Sequence, residues 1–345
     1  MASSVLLRRH VPAAARLALA AVALASSAAA DALRLRGVEY IGDLPTYLVE
    51  TQARLAATDI VIDYGRSGAD NLAALRAGDI DFALMAMTPL VFDALADPDR
   101  GQPDDPVILA SLSHAQPLVQ ILSRSDGAEP NPASLHGRRV AVQPGTNAEY
   151  LWALFTEAHG LDRDRIAVAH MPVGEMPAAF AAGAIDAAVL WEPWSSQIQA
   201  ARPGAIARLP VDGLYVSRWL LVGRRAAVHR ERERVADILR AYAAAVREIQ
   251  RRPDRAAEAI AARWPLRAVD PGALGDSLVF TLSLDWSLFR SFRQQLDWAQ
   301  ARSGDAAEAR APAFLDLIDP RPLRAVSPPA VRIPGGVATG AAGRP

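Results

Sequence analysis

Ala77-Gly78-Asp79-Ile80-Asp81-Phe82-Ala83-Leu84 returns as Ala182-Gly183-Ala184-Ile185-Asp186-Ala187-Ala188-Val189, with Ala, Gly, Ile, Asp and Ala in register. At the same offset, Ala73-Ala74-Leu75 answers Ala178-Ala179-Phe180. Farther upstream, the apolar run Ile60–Ile62 answers Ile166–Val168, and Val38–Ile41 answers Val140–Val142. Each copy therefore reads strand, helix, strand, helix, strand. Short β-branched runs break at Gly or Pro, and Ala and Leu recur at helical spacing between them. Gly78 and Gly183 are placed to end a helix, because glycine enters the left-handed region without a Cβ penalty. The run behind each glycine, an Asp and then apolar residues, suits a buried parallel strand. The duplication predicts two similar α/β lobes spread over residues 32–215.

Between the copies, Val107–Ser113 and Leu118–Leu122 are apolar runs separated by His114-Ala115-Gln116-Pro117. They are expected to be one strand leaving the first lobe and another entering the second. Tyr215–Val222 reads as a further strand. An arginine-rich helix follows at about Glu231 to Arg251, with Val235, Ile238, Leu239, Tyr242, Val246 and Ile249 on one face. The expected division is 1–30 a signal peptide, 31–117 the first part of lobe 1, 118–215 lobe 2, and 216–318 a return to lobe 1 with C-terminal helices. Pro, Gly and Ala dominate from Asp319, so 319–345 is expected to be a disordered tail.

The signal-peptide reading rests on Arg8, Arg9 and Arg16, the apolar run Leu17–Ala25, and small residues at Ala28 and Ala30, with cleavage expected after Ala30. The run is shorter than the roughly 20 residues a bilayer-spanning helix needs. A free periplasmic protein is the expected product. All 37 basic residues are arginine, yet the formal net charge is only −1 and the arginines do not cluster, which argues against a nucleic-acid partner. The absence of cysteine excludes disulfides, thiolate metal sites, a cysteine nucleophile and a lipid-anchor cysteine.

In open α/β sheets, ligands collect beyond the carboxyl ends of the strands, where helix N-termini offer unbonded amides to an anion. That rule selects the turns carrying Asp43, Leu44 and Tyr47, then Ser67 and Gly68, then Met87 and Thr88 in the first copy. The counterparts in the second copy carry Gly145, Thr146 and Asn147, then Val173, then Trp191 and Glu192. His114 and Gln116 join these candidate ligand-binding residues from the crossing segment. Glu192 reads either as a cap of the helix after it or as a cleft residue selecting against some anions or for an amine. His114 and His170, the histidines near the expected cleft, have no nearby His or carboxylate at metal-ligand spacing, and there is no Gly-x-Ser-x-Gly elbow or phosphate loop. Neither a metal, a cofactor nor catalysis is expected.

Three stretches resemble the solute-binding proteins of ABC importers for sulfonates, taurine, nitrate and thiamine-precursor pyrimidines. They are Ser67-Gly68 through Ala77–Ala83, Ser134–Val142 running into Pro144–Glu149, and Gly183–Ala187 through Trp191-Glu192-Pro193. The resemblance implies a type II periplasmic-binding-protein fold with a ligand cleft between two lobes and hinge crossings near 114–118 and 208–216. It implies a monomer that binds a small sulfonate- or nitrate-like anion or a pyrimidine-type solute and delivers it to an ABC permease and its ATPase. A sensor subunit presenting its ligand to a receptor, and a small-molecule enzyme on the same fold, are the alternatives. One departure is Asp43, an acid where a neutral residue is expected in anion-binding members.

Overall fold

Leu33, Leu35 and Gly37 are buried while Arg34 and Arg36 between them are more exposed, a two-residue period that makes Leu33–Val38 a strand with one face in the core. The protein is seen here in a computed structural model, which describes residues 32–115, 118–125, 127, 129–201, 204–263, 278–302 and 313–334. The expected signal peptide and Gln116 lie outside the described residues.

The first copy is β1 (Leu33–Val38), α1 (Leu44–Thr51), β2 (Ile60–Gly65), α2 (Gly68–Ala77) and β3 (Phe82–Ala86), followed by α3 (Met87–Ala96) and β4 (Pro106–Ala115). After β5 (Gln120–Arg124), the second copy repeats this as β6 (Arg139–Val142), α4 (Asn147–Ala158), β7 (Ala167–His170), α5 (Met176–Ala181) and β8 (Ala187–Leu190). Then come α6 (Trp194–Ala201), β9 (Ile206–Leu209) and β10 (Ser217–Arg224). The C-terminal part holds α7 (Arg225–Arg230), α8 (Arg232–Arg251), α9 (Pro253–Arg263), β11 (Leu278–Ser283), α10 (Trp286–Arg302) and α11 (Arg321–Val326).

Two sheets result, in the orders β11-β4-β10-β3-β1-β2 and β7-β6-β8-β5-β9. In each, the three strands of one copy run parallel, and an antiparallel strand lies beside the third. That antiparallel strand is the one reached just after the chain crosses: β5 beside β8, and β10 beside β3. The lobes therefore exchange strands at the two crossings.

The repeated glycine and aspartate have matching jobs. Gly78 and Gly183 take φ of 79° and 74°, the left-handed turn that releases the chain into the next strand. Asp81 accepts from the Arg34 amide at 3.1 Å, and Asp186 accepts from the Arg139 amide at 2.9 Å. In each sheet the acid at the foot of the third strand thus pins the start of its parallel neighbour.

The expected apolar face of α8 is buried as a set, Val235, Ile238, Leu239, Tyr242, Val246 and Ile249, and it covers α1 and α11. At up to about 3 kcal/mol per fully buried large side chain, this seam fastens the C-terminal part to the first sheet. A charge cluster ties α2 to α3 and to the segment that leads into β4. Arg76 pairs with Asp93 at 2.7 Å and Asp105 at 3.0 Å, and Arg100 pairs with Asp93 at 2.8 Å.

Two expectations change. The first strand is Leu33–Val38, not Val38–Ile41, because Arg36 is held on the strand by Asp63 of β2 at 2.6 Å and Ile41–Asp43 already turns as a 3-10 helix. The segment 319–334 is structured where a disordered tail was expected. Its Pro-rich composition hides two anchors, Leu323 and Ile333, which are buried, and the Asp319 amide bonds Ile108 of β4 at 3.1 Å. Residues 335–345 lie outside the described ones.

Candidate ligand-binding site

The carboxyl ends of β1, β2 and β3 face those of β6, β7 and β8. Between them lies a cavity of about 20 Å³, enough for about one water, which needs about 10–15 Å³ by this measure. Val38, Tyr40, Gly68, Ala69, Ala86, Pro89 and Trp219 line it from the first lobe, and Thr146, Asn147 and Trp191 from the second. It shares Ala69 with a wider hollow of about 600 Å³ at the mouth, framed by Arg66, Asp70, Gln143, His170 and Met171–Glu175.

Two helix starts meet at the cavity. Gly68 opens α2 with Ser67 as its cap, Ser67 Oγ accepting from the Asp70 amide at 3.2 Å. Gly68 has to be glycine, since a Cβ there would stand 2.8 Å from the Met85 Cβ. Across the gap, Thr146 caps α4 and its hydroxyl donates to the Gln143 carbonyl at 2.8 Å. The amides of Gly68, Ala69, Asn147 and Ala148 precede any i−4 carbonyl in their helices and find no other acceptor among the described residues. Such amides carry the positive end of the helix dipole.

The remaining walls are aromatic. Tyr40 and Trp219 lie with ring centroids 4.7 Å apart, and Trp191 faces them from the other lobe. Among the described residues, no ionised side chain lines the cavity. The lobes touch at its edge: Gln143 donates to Ser67 Oγ at 3.2 Å and accepts from the Val173 amide at 2.9 Å. On another side, Arg302 of α10 pairs with Glu149 of α4 at 2.7 Å.

Of the residues expected from sequence, Gly68, Thr146, Asn147 and Trp191 line the cavity, Ser67 stands at its edge, and Val173 lines the mouth. The others are placed elsewhere. Asp43 is buried beneath the wall, accepting from the Val38 amide at 2.8 Å, Thr46 Oγ1 at 2.5 Å and Trp219 Nε1 at 3.0 Å. Burial pushes its carboxyl up to about 7 against those three bonds, with Glu39 adding to the rise. It thus holds the Trp219 wall in place from behind. Leu44 is core, and Tyr47 lies under the Arg263 guanidinium. Met87 is buried, and the Thr88 hydroxyl donates to Gln295 of α10 at 2.7 Å, so Ala86 and Pro89 present that turn to the cavity instead. Gly145 donates its amide to Glu149 at 2.8 Å. Glu192 caps α6, accepting from the Ser196 amide at 3.1 Å. His114 lies in a separate hollow on the first sheet.

Sequence reasoning missed Val38, Tyr40, Ala69, Ala86, Pro89 and Trp219. Trp219 reaches the site only because β10 crosses back and pairs with β3, Trp219 opposite Ala86. Among the described residues, no group of three His, Asp or Glu could hold a metal ion, and no helix is long and apolar enough to cross a membrane.

Two α/β lobes that exchange strands at paired crossings, with helix starts converging on the gap, define the fold of the periplasmic binding proteins. The solved structures it resembles bear this out. The alkanesulfonate-binding protein SsuA of Xanthomonas axonopodis pv. citri, solved bound to MOPS, is 20% identical, with 87% of this chain and 97% of that chain covered at a TM-score of 0.64. The periplasmic aliphatic sulphonate-binding protein SsuA of Escherichia coli is 20% identical over 84% and 92% of the two chains, TM-score 0.64. The periplasmic nitrate-binding protein NrtA of Synechocystis PCC 6803 is 14% identical over 80% and 83%, TM-score 0.61. No protein of curated function matches the sequence. The chain belongs to the NMT1-like family, whose model matches residues 57–264.

Proposed function

We propose that this protein is the exported solute-binding component of an ABC importer, and that it holds a small organic oxyanion, a sulfonate with an apolar tail, between its lobes. The observation that carries this reading is the pairing of two unbonded helix starts, at Gly68-Ala69 and Asn147-Ala148, with aromatic walls and no ionised side chain among the described residues. Amide donors hold a negative head without a formal counter-charge. Tyr40, Trp191 and Trp219 offer apolar area that nitrate would leave unused but an alkyl or aryl sulfonate, or a flat pyrimidine, would cover.

The cavity holds about one water as it stands, so the solute enters when the lobes part. Gln143 and Ser67 separate in that motion, and the solute shifts the population toward a closed form wider than the present one, in which it touches both lobes. The closed form is what a permease and its ATPase would receive. The arginine-led, apolar start of the chain supports delivery to the periplasm, where a monomer would act.

Thermal melting of residues 31–345 against alkanesulfonates, taurine, nitrate and pyrimidines tests the reading. A solute at 100 times its Kd should add about 2.7 kcal/mol of stability. A melting point unmoved by the whole panel would remove this ligand class.

A further inference from the structure

A second polar hollow, of about 490 Å³, lies on the first sheet beside the places where the chain crosses between lobes. It shares no lining residue with the interlobe cavity or its mouth. His114 near the end of β4 and Arg218 near the start of β10 stand opposite one another in the antiparallel ladder, so both side chains emerge on one face. Arg332 closes the far side, on a segment pinned to Leu284 by two backbone bonds of 2.8 Å.

Arg218 Nε and His114 Nδ1 are buried without a hydrogen-bond partner among the described residues. Neither Arg218 nor Arg332 has an ion pair among the described residues. The acid in the hollow, Asp285, accepts from the Ser287 amide at 2.8 Å, from the Ser287 hydroxyl, and from Ser283 Oγ at 3.2 Å. Burial raises its carboxyl, but these bonds and Arg218 bring it below its ordinary value, so its one negative charge stands against the two positive ones of Arg218 and Arg332. Burial lowers the Arg218 guanidinium from its ordinary value, Asp285 opposes that, and Arg290 adds to it. A guanidinium held in this way favours an incoming negative charge, and its planar fork matches two oxygens of one oxyanion.

We propose that this hollow is a second binding site, for a small oxyanion, clamped between Arg218 on a crossing strand and Arg332 on the C-terminal segment. The occupant is either a free phosphate- or sulfate-like ion or a carboxylate, such as an acidic side chain of a partner would present. Both engage the same two guanidinium groups. An occupant joins β10, at its exit from the crossing, to the segment around Pro329–Arg332, and so stiffens the first-lobe side of the hinge.

Calorimetric titration of residues 31–345 at constant ionic strength, with inorganic phosphate in one arm and acetate in the other, tests this. Saturable binding of either anion is expected, and the arm that binds assigns the oxyanion class. Arg332→Gln, at an exposed position, and Arg218→Gln should each weaken it at least about tenfold, as loss of a charge-assisted contact does. Arg240→Gln, on the solvent face of α8, removes the same charge and should leave the affinity unchanged. If neither anion saturates the wild type, or if Arg332→Gln binds as the wild type does, the site does not exist. If Arg218→Gln does not fold, Arg332→Gln alone decides.

Discussion

The substitution Asp43→Asn should change how stability depends on pH, by an amount the structure allows to be worked out. The carboxyl is 1% exposed and its pKa is raised from 3.8 to about 7. Below about pH 4 the group is protonated in both folded and unfolded chains. Between about 4 and 7 the unfolded chain ionises first, so the folded state binds more protons and stability is lost as pH rises. Above about 7 both are ionised and the loss is complete. At about 1.4 kcal/mol for each tenfold in proton affinity, the full loss is about 4 kcal/mol.

An asparagine at this position cannot ionise, so the variant is spared this loss. It carries instead a constant penalty of about 1–3 kcal/mol, because three donors point at Asp43 and an amide returns one of them a donor. Urea unfolding at half-unit steps from pH 4 to 8, read by tryptophan fluorescence, gives the difference curve. The variant should be the less stable at pH 4 and should gain about 4 kcal/mol on the wild type by pH 8. Parallel curves, with a difference constant across the range, would refute the reasoning. The same substitution loosens the bond to Trp219 Nε1, so solute affinity should fall with it.

Gly68→Ala should cost about 1–3 kcal/mol by overpacking, since the added methyl meets Met85 Cβ at 2.8 Å; differential scanning calorimetry reads this, with a parallel loss of solute affinity. Gln143→Ala removes the bond that spans the lobes to Ser67 and the one that steadies Val173. At about 1 kcal/mol for a net hydrogen bond, solute affinity should drop about fivefold with the melting point nearly unchanged, by calorimetric titration. Asp105→Ala leaves the amides of Gly101 and Gln102 without their acceptor at a fully buried position and takes from Arg76 one of its acids, Asp93 remaining; at about 1–3 kcal/mol for each stranded donor it should cost about 2–4 kcal/mol in urea unfolding.

What the sequence disclosed follows from how local each feature is. Gly78 and Gly183 need a left-handed turn, Asp81 and Asp186 bond the neighbouring strand, and the α8 face repeats with the helical period. The two aspartates bond across 47 residues and stand out in the sequence because the duplication repeats them, whereas the glycine turns and the helix face are short-range signals. The helix starts at Gly68 and Thr146 were legible for the same reason. Thr88, Asp43 and Tyr47 are placed by segments that arrive from far along the chain. Thr88 turns from the cavity because Gln295 of α10 accepts its hydroxyl, and Asp43 turns inward because Trp219 of β10 and Thr46 donate to it. Trp219 enters the wall only through the strand exchange, which no run of neighbouring residues encodes. The segment after Asp319 read as disordered because composition weighs its prolines and glycines, whereas Leu323 and Ile333 anchor it.

The most direct measurement is a crystal structure with the solute that the melting panel selects. The charged head should lie within hydrogen-bond reach of amides at both helix starts, Gly68-Ala69 and Asn147-Ala148, with its tail against Trp191 and Trp219. A solute bound on one lobe alone, or with its head turned away from both helix starts, would contradict the account.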